Sequence, residues 1–342
     1  LAAIPRPEWR RRWTMELITR GSESERELNY QRQHEDKDVY QQSPTMKFDA
    51  SAFVPQARIR KAFSLTSETE TEVLNFLAGR PLHTVILTGF VRDNGLVSPA
   101  NRGAFFGVRN DEGELEGVAL IGHATLMETR TARAVCAFAE IAQRCSSAHL
   151  ILGEQERIEE FWSQYQAGGQ PKRLACRESL FELRYQRELE QKVAGLRLAT
   201  LAELELILPI QARMALEESG INPLERDAEG FRQRCRRRIE QGRTWVVVRD
   251  GQLLFKADII SDTEEVIYLE GVWTNPKLRG SGHGISCMSQ LTKELLQRTK
   301  AISLLVDQRN KRAQAFFRKC GFRLLTTYDT IFLEQEVAVN IN

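Results

Sequence analysis

The sequence predicts an α/β (α+β) protein whose mixed central sheet is flanked by helices and preceded by a disordered tail. Apolar strand patterns alternate with helical patterns from residue 47 onward. Turn signals such as Asp93-Asn94-Gly95 and Asp250-Gly251 separate the strands. The length of 342 residues is typical of two domains.

Composition excludes several classes of partner. The chain is 42% apolar and 27% charged, which is ordinary for a globular protein, and its net charge of +2 is too small to indicate a nucleic-acid or membrane partner. No apolar run approaches the length of a membrane span or of a signal peptide. The six cysteines form no Cys-x-x-Cys pair, so neither a metal site nor a disulfide framework is indicated. We therefore expect reduced thiols and a cytoplasmic location.

Residues 1–45 form the predicted disordered leader. They lack periodic apolar residues and carry mixed Glu, Gln, Arg and Ser runs, so they bury too little surface to offset the entropy of ordering.

The first predicted domain covers residues 46–190. Its first helix has a hydroxyl at Thr66 or Ser67 followed by carboxylates, which is typical of a capped N-terminus. The predicted helices are 68–77, 132–144 and 157–165, and the predicted strands are 84–91, 103–109, 115–127, 149–152 and 180–185.

The second predicted domain covers residues 191–342, after a linker near 187–195. Gly220 is a natural end for its first helix, and Asp250-Gly251 is a two-residue hairpin turn. The predicted helices are 202–219, 228–241 and a third that follows Gly284, and the predicted strands are 196–200, 244–249, 252–260, 266–274 and 302–307. The arginines of helix 228–241 are interpreted as a solvated face, with contact to an acidic acceptor or to a phosphate of a cofactor as the alternative.

The most informative stretch is 266–284, where an apolar strand leads into a turn, Arg279, alternating glycines and a helix. Glycines give backbone conformations that a Cβ forbids, and a helix N-terminus offers free N–H groups to an anion. The stretch therefore predicts a phosphate site, with the Arg279 guanidinium beside it.

Two other interpretations of the stretch remain open. It is also compatible with a plain strand-to-helix turn. A dinucleotide fingerprint would use Gly280 and Gly282 with Asp307 as the ribose ligand, although the polar residues 275–279 separate these glycines from the strand end. A kinase-type phosphate loop is excluded because Gly-Lys-Ser/Thr is absent.

Two motifs resemble the GNAT superfamily of acyl-CoA-dependent N-acetyltransferases. Arg279-Gly280-Ser281-Gly282-His283-Gly284 fits the Arg/Gln-x-x-Gly-x-Gly/Ala signature of that family. About thirty residues later, the segment from Asn310 to Phe322 resembles its second signature, Asn-x-x-Ala-x-x-x-Tyr-x-x-x-Gly-Phe. The resemblance covers roughly residues 195–335.

The resemblance implies acetyl-CoA as co-substrate and no metal. Strand 266–274 would separate from strand 302–307 so that the pantetheine arm lies between them, and residues 279–284 would hold the pyrophosphate. One strand N–H would also stabilise the oxyanion. The residues implied to bind the cofactor are Val272, Trp273, Thr274, Arg279, Gly280, Ser281, Gly282, His283, Gly284, Asn310 and Phe317.

Amine acetylation requires a base, because an ammonium group has no lone pair. Glu270 is the predicted base, since it is the one carboxylate inside an apolar strand and partial burial would raise its pKa. Pairing of Glu270 with an arginine at a solvated sheet edge is the alternative. The family often uses a Tyr to protonate the thiolate, but Phe317 occupies that position here, so we consider Tyr328 as a substitute acid.

The first half resembles a degenerate copy of the same fold. After its strand near Glu128 the chain enters a helix without glycines, so the phosphate site is missing. The His123 and His149 side chains are read as core or edge residues.

The sequence thus predicts a tandem GNAT acyltransferase that moves an acetyl group to a primary amine of a small molecule or protein. A non-catalytic acyl-CoA-binding module is the alternative, and a nicotinamide enzyme using Asp307 is a third possibility. A homodimer is one of the oligomeric states considered.

Overall fold

The structure, a computed structural model, describes residues 61–185 and 193–334. The helices are α1 (Glu70–Ala78), α2 (Pro81–Asn94), α3 (Ala132–Ala142), α4 (Gln155–Tyr165), α5 (Leu204–Ser219), α6 (Pro223–Arg226), α7 (Ala228–Glu240), α8 (His283–Leu295) and α9 (Lys311–Lys319). The strands are β1 (Phe63–Ser64), β2 (Gly103–Arg109), β3 (Leu115–Gly122), β4 (Ala124–Thr129), β5 (Leu150–Glu154), β6 (Lys172–Leu183), β7 (Leu196–Leu198), β8 (Thr244–Arg249), β9 (Gln252–Asp262), β10 (Val266–Thr274), β11 (Ala301–Asp307) and β12 (Arg323–Leu333). The predicted leader 1–45 and most of the predicted linker lie outside the described residues.

The described strands form one mixed sheet of twelve, in the order β1-β2-β3-β4-β5-β12-β6-β11-β10-β9-β8-β7. The pairs β4–β5 and β10–β11 are parallel, and the remaining pairs are antiparallel. Helices cover the sheet, as the predicted fold class requires. In the described part of the chain, no helix has both the length and the apolar character needed to cross a membrane.

The two halves exchange their last strands at the centre of the sheet. Strand β6 of the first half pairs with β11 of the second, and β12 of the second half pairs with β5 of the first. The two exchanged strands also pair with each other along almost their whole length, with Arg177 opposite Asp329. A salt bridge of 2.9 Å joins the Arg177 Nε and an Asp329 carboxylate oxygen. Each half is therefore completed by the other.

Most predicted elements are confirmed. Strand 266–274 has the predicted bounds, and the hairpin of β8 and β9 turns at Asp250 and Gly251, both at positive φ. Helix α5 ends at Gly220, whose φ of +72° is the predicted left-handed cap.

Two predictions in the first half are wrong. Residues 84–91 belong to helix α2, which begins with Pro81 in its first turn. Its apolar run lacks a polar face because it is buried on two sides: Leu87 and Val91 pack in the first half, and Val85 contacts Val266 and Tyr268. The predicted strand 115–127 is two strands, β3 and β4, which are separated at His123.

The parallel pairs place equivalent residues in the two halves. Residues Ala124–Leu126 pair with 150–152, just as residues 266–268 pair with 301–303. Counting along the strands from these pairs makes Glu128 of β4 the counterpart of Glu270 of β10.

Candidate functional site

Strands β10 and β11 begin side by side and then separate. Residues 266–268 pair with 301–303, and the two strands share no further ladder among the described residues. On the opposite side of β10, the register with β9 shifts between Glu270 and Trp273. We call the opening between β10 and β11 beyond Tyr268 the strand gap. Backbone groups that are not used in a sheet are available to a ligand.

Residues 279–284, the glycine loop, follow the strand gap and lead into α8. Gly280 and Gly282 have φ of +87° and +84°, and a Cβ built on either would meet no atom within 4 Å. Gly282 is the N-cap residue of α8 and has no side chain to cap the helix, and the His283 N–H makes only a long contact of 3.4 Å with the Ser281 Oγ. An uncapped helix N-terminus beside open space is suited to bind an anion.

Gly284 has a different role from the other two glycines. A Cβ here would lie 2.7 Å from the Thr274 Oγ1 and 3.3 Å from a ring carbon of Phe316. Gly284 therefore permits close packing of α8 against the end of β10 and against α9.

A cleft of about 550 Å³ joins the strand gap to the glycine loop. Its lining includes Val272, Trp273, Thr274, Arg279, Gly280, Gly282, Gly284, Asn310 and Phe317, which are nine of the residues predicted to bind cofactor. Helix α5 supplies one wall through Met214, and α9 supplies another through Phe316. The volume and the mixture of apolar and polar lining are typical of a small-molecule site.

The cleft is strongly cationic, which the sequence did not predict. Arg213, Arg312 and Lys319 line it together with Arg279. Burial and the charges of Arg312 and Arg213 lower the pKa of Arg279. Its Nε donates to the Thr274 carbonyl oxygen at 3.1 Å, which fixes the side chain at the end of β10. Arg312 and Lys319 lie within the second motif segment, whereas no sequence signal marks Arg213.

Two predicted ligands are directed elsewhere. The Ser281 Oγ donates to the Leu278 carbonyl oxygen at 2.8 Å, and the His283 Nε2 lies 3.5 Å from the Cys287 Sγ. Neither residue lines the cleft. Asn310 does line it, and its Oδ1 also accepts from the Ala313 N–H at 3.0 Å, so it caps α9.

Glu270 does not itself line the cleft and lies two residues before Val272, the first residue of β10 that does. Its side chain is open to solvent on one side, yet surrounding protein reduces its hydration, and this burial raises its pKa despite the opposing charge of Arg238. In the described part of the chain, no ion pair involves Glu270. The predicted alternative, pairing with an arginine at a sheet edge, is therefore not found there.

Two further carboxyl groups interact electrostatically with Glu270. Burial raises the pKa of Glu178, on β6, to about 7, and surrounding protein raises that of Glu218, on α5, to about 8 although its side chain is exposed; the charge of Glu270 contributes to both. Glu178 also accepts a hydrogen bond from Thr330. Because β6 belongs to the first half, this half contributes an ionisable group that interacts with Glu270. No group of acidic, His or Cys side chains within residues 61–185 and 193–334 is arranged to hold a metal ion.

Tyr328 lies outside the cleft. It is buried in a hollow of the first half, where its hydroxyl is 3.0 Å from the His83 Nδ1. The reason is the strand exchange, which pairs Tyr328 with Glu154 of β5. Its predicted role as a substitute acid is therefore not supported by its position.

Asp307, the predicted ribose ligand of a nicotinamide enzyme, is already paired. Its carboxylate accepts from the Arg309 side chain at 2.6 Å and from the Arg309 N–H at 2.7 Å.

Comparison with protein families gives one match. Residues 211–322 match the acetyltransferase (GNAT) family. This segment contains the cleft, the glycine loop and the second motif. No curated protein sequence matches the chain significantly.

Solved structures share the fold at low sequence identity. A Drosophila protein is 11% identical, with a TM-score of 0.61, and the match covers 81% of this chain and 100% of that protein. A GNAT-family acetyltransferase from Colwellia psychrerythraea is 14% identical, with a TM-score of 0.51 and coverage of 80% and 100%. A tandem GNAT protein from the clavulanic acid biosynthesis pathway is 14% identical, with a TM-score of 0.50 and coverage of 81% and 99%.

Proposed function

We propose that this chain, whose residues 211–322 match the acetyltransferase (GNAT) family, is an N-acetyltransferase that uses acetyl-CoA and a primary amine in a ternary complex. The observation that carries the proposal is the coincidence of the strand gap with the uncapped N-terminus of α8 in one cationic cleft. Acetyl-CoA matches this cleft in chemistry, because it joins an amide-rich pantetheine arm to a pyrophosphate and a further phosphate.

The cofactor would lie along the cleft. The backbone of Val272, Trp273 and Thr274 would hydrogen-bond the pantetheine arm, and the glycine loop with Arg279 would hold the pyrophosphate. The cationic side chains Arg312 and Lys319 would hold the remaining phosphate, together with Arg213, which is also ion-paired with Glu217 at 3.4 Å. Asn310 and Phe317 would contact the arm from α9.

The acceptor would enter on the side of Glu270. Glu178 and Glu218 interact with that residue, and a cationic amine would favour the ionised form of these carboxyl groups, so we expect such an acceptor rather than an acidic one. The raised pKa of Glu270 makes its carboxylate a better base than an ordinary glutamate.

The reaction itself needs few protein groups. The amine nitrogen attacks the thioester carbonyl carbon, the C–S bond breaks, and Glu270 takes the amine proton directly or through water. A backbone N–H in the strand gap would stabilise the oxyanion. Phe317 has no proton to donate, so water would protonate the departing thiolate.

Calorimetric titration with acetyl-CoA tests the proposal. We expect saturable binding to the parent protein and loss of binding in Gly282→Asp, because the new carboxylate fills the anion site. The matched control is Gly113→Asp, since Gly113 also has positive φ, +87°, and open space around it, but lies in the β2–β3 turn. Absence of binding to the parent would overturn the proposal, and equal loss in both variants would show a general folding defect.

The alternative function is a non-catalytic acyl-CoA-binding module, favoured by Phe317 at the position of the usual acid. Thiol release from acetyl-CoA, screened over polyamines, amino acids and peptides, separates the two functions. Binding without release for any amine would favour the module.

A further inference from the structure

A fully buried ammonium group lies against β10 on the side of β9, opposite the strand gap. Lys256 of β9 has 0% exposure, and its Nζ donates to the Asp258 carboxylate at 2.6 Å, to the Gln211 Oε1 at 2.7 Å and to the Gly271 carbonyl oxygen at 3.1 Å. An ammonium group has three N–H donors, so these contacts use all of them.

The partner carboxylate is held equally firmly. Asp258 is 1% exposed, accepts from the Thr244 hydroxyl at 2.9 Å and from the Arg238 Nη1 at 3.0 Å. Buried charges are tolerated only when they are paired and hydrogen-bonded. Lys256 is thus fixed in position from three elements, namely β8, α7 and α5, through Thr244, Arg238 and Gln211.

The contact with Gly271 lies at an irregular point of β10. Gly271 has φ of +59° and occupies the register shift between Glu270 and Trp273. A Cβ on Gly271 would lie 2.7 Å from the Lys256 Nζ and 2.9 Å from an Asp258 carboxylate oxygen. The backbone therefore approaches the charged pair closely, at the residue between Glu270 and the cleft.

The equivalent place in the first half is regular. Strand β4 pairs with β3 without a register shift, and Val118, not an aspartate, lies opposite Glu128. The hollow beside that strand measures only about 30 Å³, against about 550 Å³ for the cleft.

We propose that Lys256 is a positioning residue: its ammonium group holds the Gly271 carbonyl in the bulge and so sets the course of residues 272–274 along the open strand gap. The functional significance of this inference rests on the proposed function, because residues 272–274 would bind pantetheine. The structural role of Lys256 is independent of catalysis.

Two substitutions of Lys256 test the inference. Lys256→Met removes the donors at similar length, whereas Lys256→Gln retains amide donors that reach part of the same set. We expect Lys256→Met to weaken acetyl-CoA binding at least about tenfold and to speed amide hydrogen exchange across residues 270–274. Lys256→Gln should keep more of the acetyl-CoA affinity and more of the protection from exchange at residues 270–274. Exchange in β2 and β3 should not change in either variant.

A substitution of Gly271, the other partner in the contact, tests the inference if Lys256→Met does not fold. Gly271→Ala places a methyl group against the ammonium and should give the same pair of effects. Gly113→Ala is its matched control, because it carries the same positive φ penalty with nothing within 4 Å. This control should leave both acetyl-CoA affinity and exchange at 270–274 unchanged.

The outcomes separate the inference from the proposed function. If the parent binds no acetyl-CoA, the proposed function fails, and hydrogen exchange alone decides the inference. If Lys256→Met and Gly271→Ala are both folded, with parent affinity and parent exchange at 270–274, the inference is wrong. Local exchange that rises in both variants supports it.

Discussion

The two halves place a glutamate at the same register position and give it different surroundings. Glu128 in the first half is 6% exposed and accepts from the Arg80 Nη1 at 3.3 Å, while the other end of that guanidinium reaches Glu154 at 2.8 Å. Arg80 thereby bridges the ends of β4 and β5. Glu270 has no such partner, and β10 and β11 remain apart at its level.

The helices that follow these strands, α3 and α8, also differ, because only α3 has a side-chain cap. Thr131 caps α3, because its hydroxyl accepts from the Ala134 N–H at 3.3 Å. Gly282 leaves α8 without a side-chain cap. In the first half a side chain of the protein occupies each place that the second half leaves open. The fold itself separates the two strands. A candidate site forms only in the second half, where no arginine bridges the strands and the N-cap residue of the helix has no side chain.

The largest predicted effect is on turnover. Glu270→Gln should lower acetyl transfer about 100-fold or more, the usual contribution of a general base, with acetyl-CoA affinity within about twofold of the parent. Thiol release with the best amine of the screen measures the first quantity, and calorimetry measures the second. The matched control is Glu128→Gln, its counterpart in the first half, which should leave turnover unchanged. Equal activity of parent and Glu270→Gln would remove Glu270 from the mechanism.

A smaller effect is expected on cofactor affinity. Arg312→Gln should weaken acetyl-CoA binding about fivefold at low salt, and less at high salt, because screening reduces the charge interaction. Calorimetry at two ionic strengths measures this difference. Arg157→Gln removes an arginine that lines the hollow of the first half and should have no effect. A salt-independent loss would show that Arg312 acts through packing.

The exchanged strand predicts a pH effect on stability. Glu178 has a folded pKa of about 7, above its ordinary 4.5, so the folded state binds the proton more tightly than the unfolded state. This stabilisation is complete below pH 4.5 and is lost as the pH rises through about 7. The free energy of unfolding of Glu178→Gln, relative to that of the parent, should therefore rise by on the order of 1 kcal/mol from pH 5 to pH 8, after allowance for solvent screening.

Urea unfolding at both pH values measures this gain, and Glu203→Gln is its control. The Arg197 guanidinium lowers the pKa of Glu203 to about 2, so that carboxylate is ionised in the folded state throughout the range and mostly ionised in the unfolded state. Its stability difference from the parent should be nearly the same at pH 5 and pH 8. A pH-independent difference for Glu178→Gln would contradict the raised pKa.

Local pattern was enough to predict the fold class and most of the cleft. Strand 266–274, the positive φ of Gly280 and Gly282 and the open end of α8 all follow from residues that are adjacent in the chain. The arginine lining was only partly visible, because Arg213 reaches the cleft from α5, a helix about sixty residues before the glycine loop.

Long-range pairing was not predictable in this way. Nothing in residues 172–183 or 323–333 indicates that each strand completes the opposite half, and this exchange is what carries Tyr328 away from the cleft. The strand prediction for residues 84–91 is wrong for a related reason. A helix buried against both halves has no polar face, so its β-branched apolar run cannot be distinguished from a strand by periodicity.

The smallest predicted effect comes from removing the Thr131 cap of α3. This change tests whether an uncapped helix N-terminus is enough to form a binding site for acetyl-CoA. Thr131→Gly gives α3 the same kind of N-cap residue as α8 and should cost about 0.5 kcal/mol in the free energy of unfolding, since glycine is a tolerable cap. It should not create a binding site, because Arg80 still bridges β4 and β5 there. Calorimetry of the double variant Thr131→Gly/Gly282→Asp checks this, with the second change removing the cleft's own anion site. Acetyl-CoA binding to that variant would mean that the helix terminus alone selects the ligand, whereas its absence would show that the open strand gap is required as well.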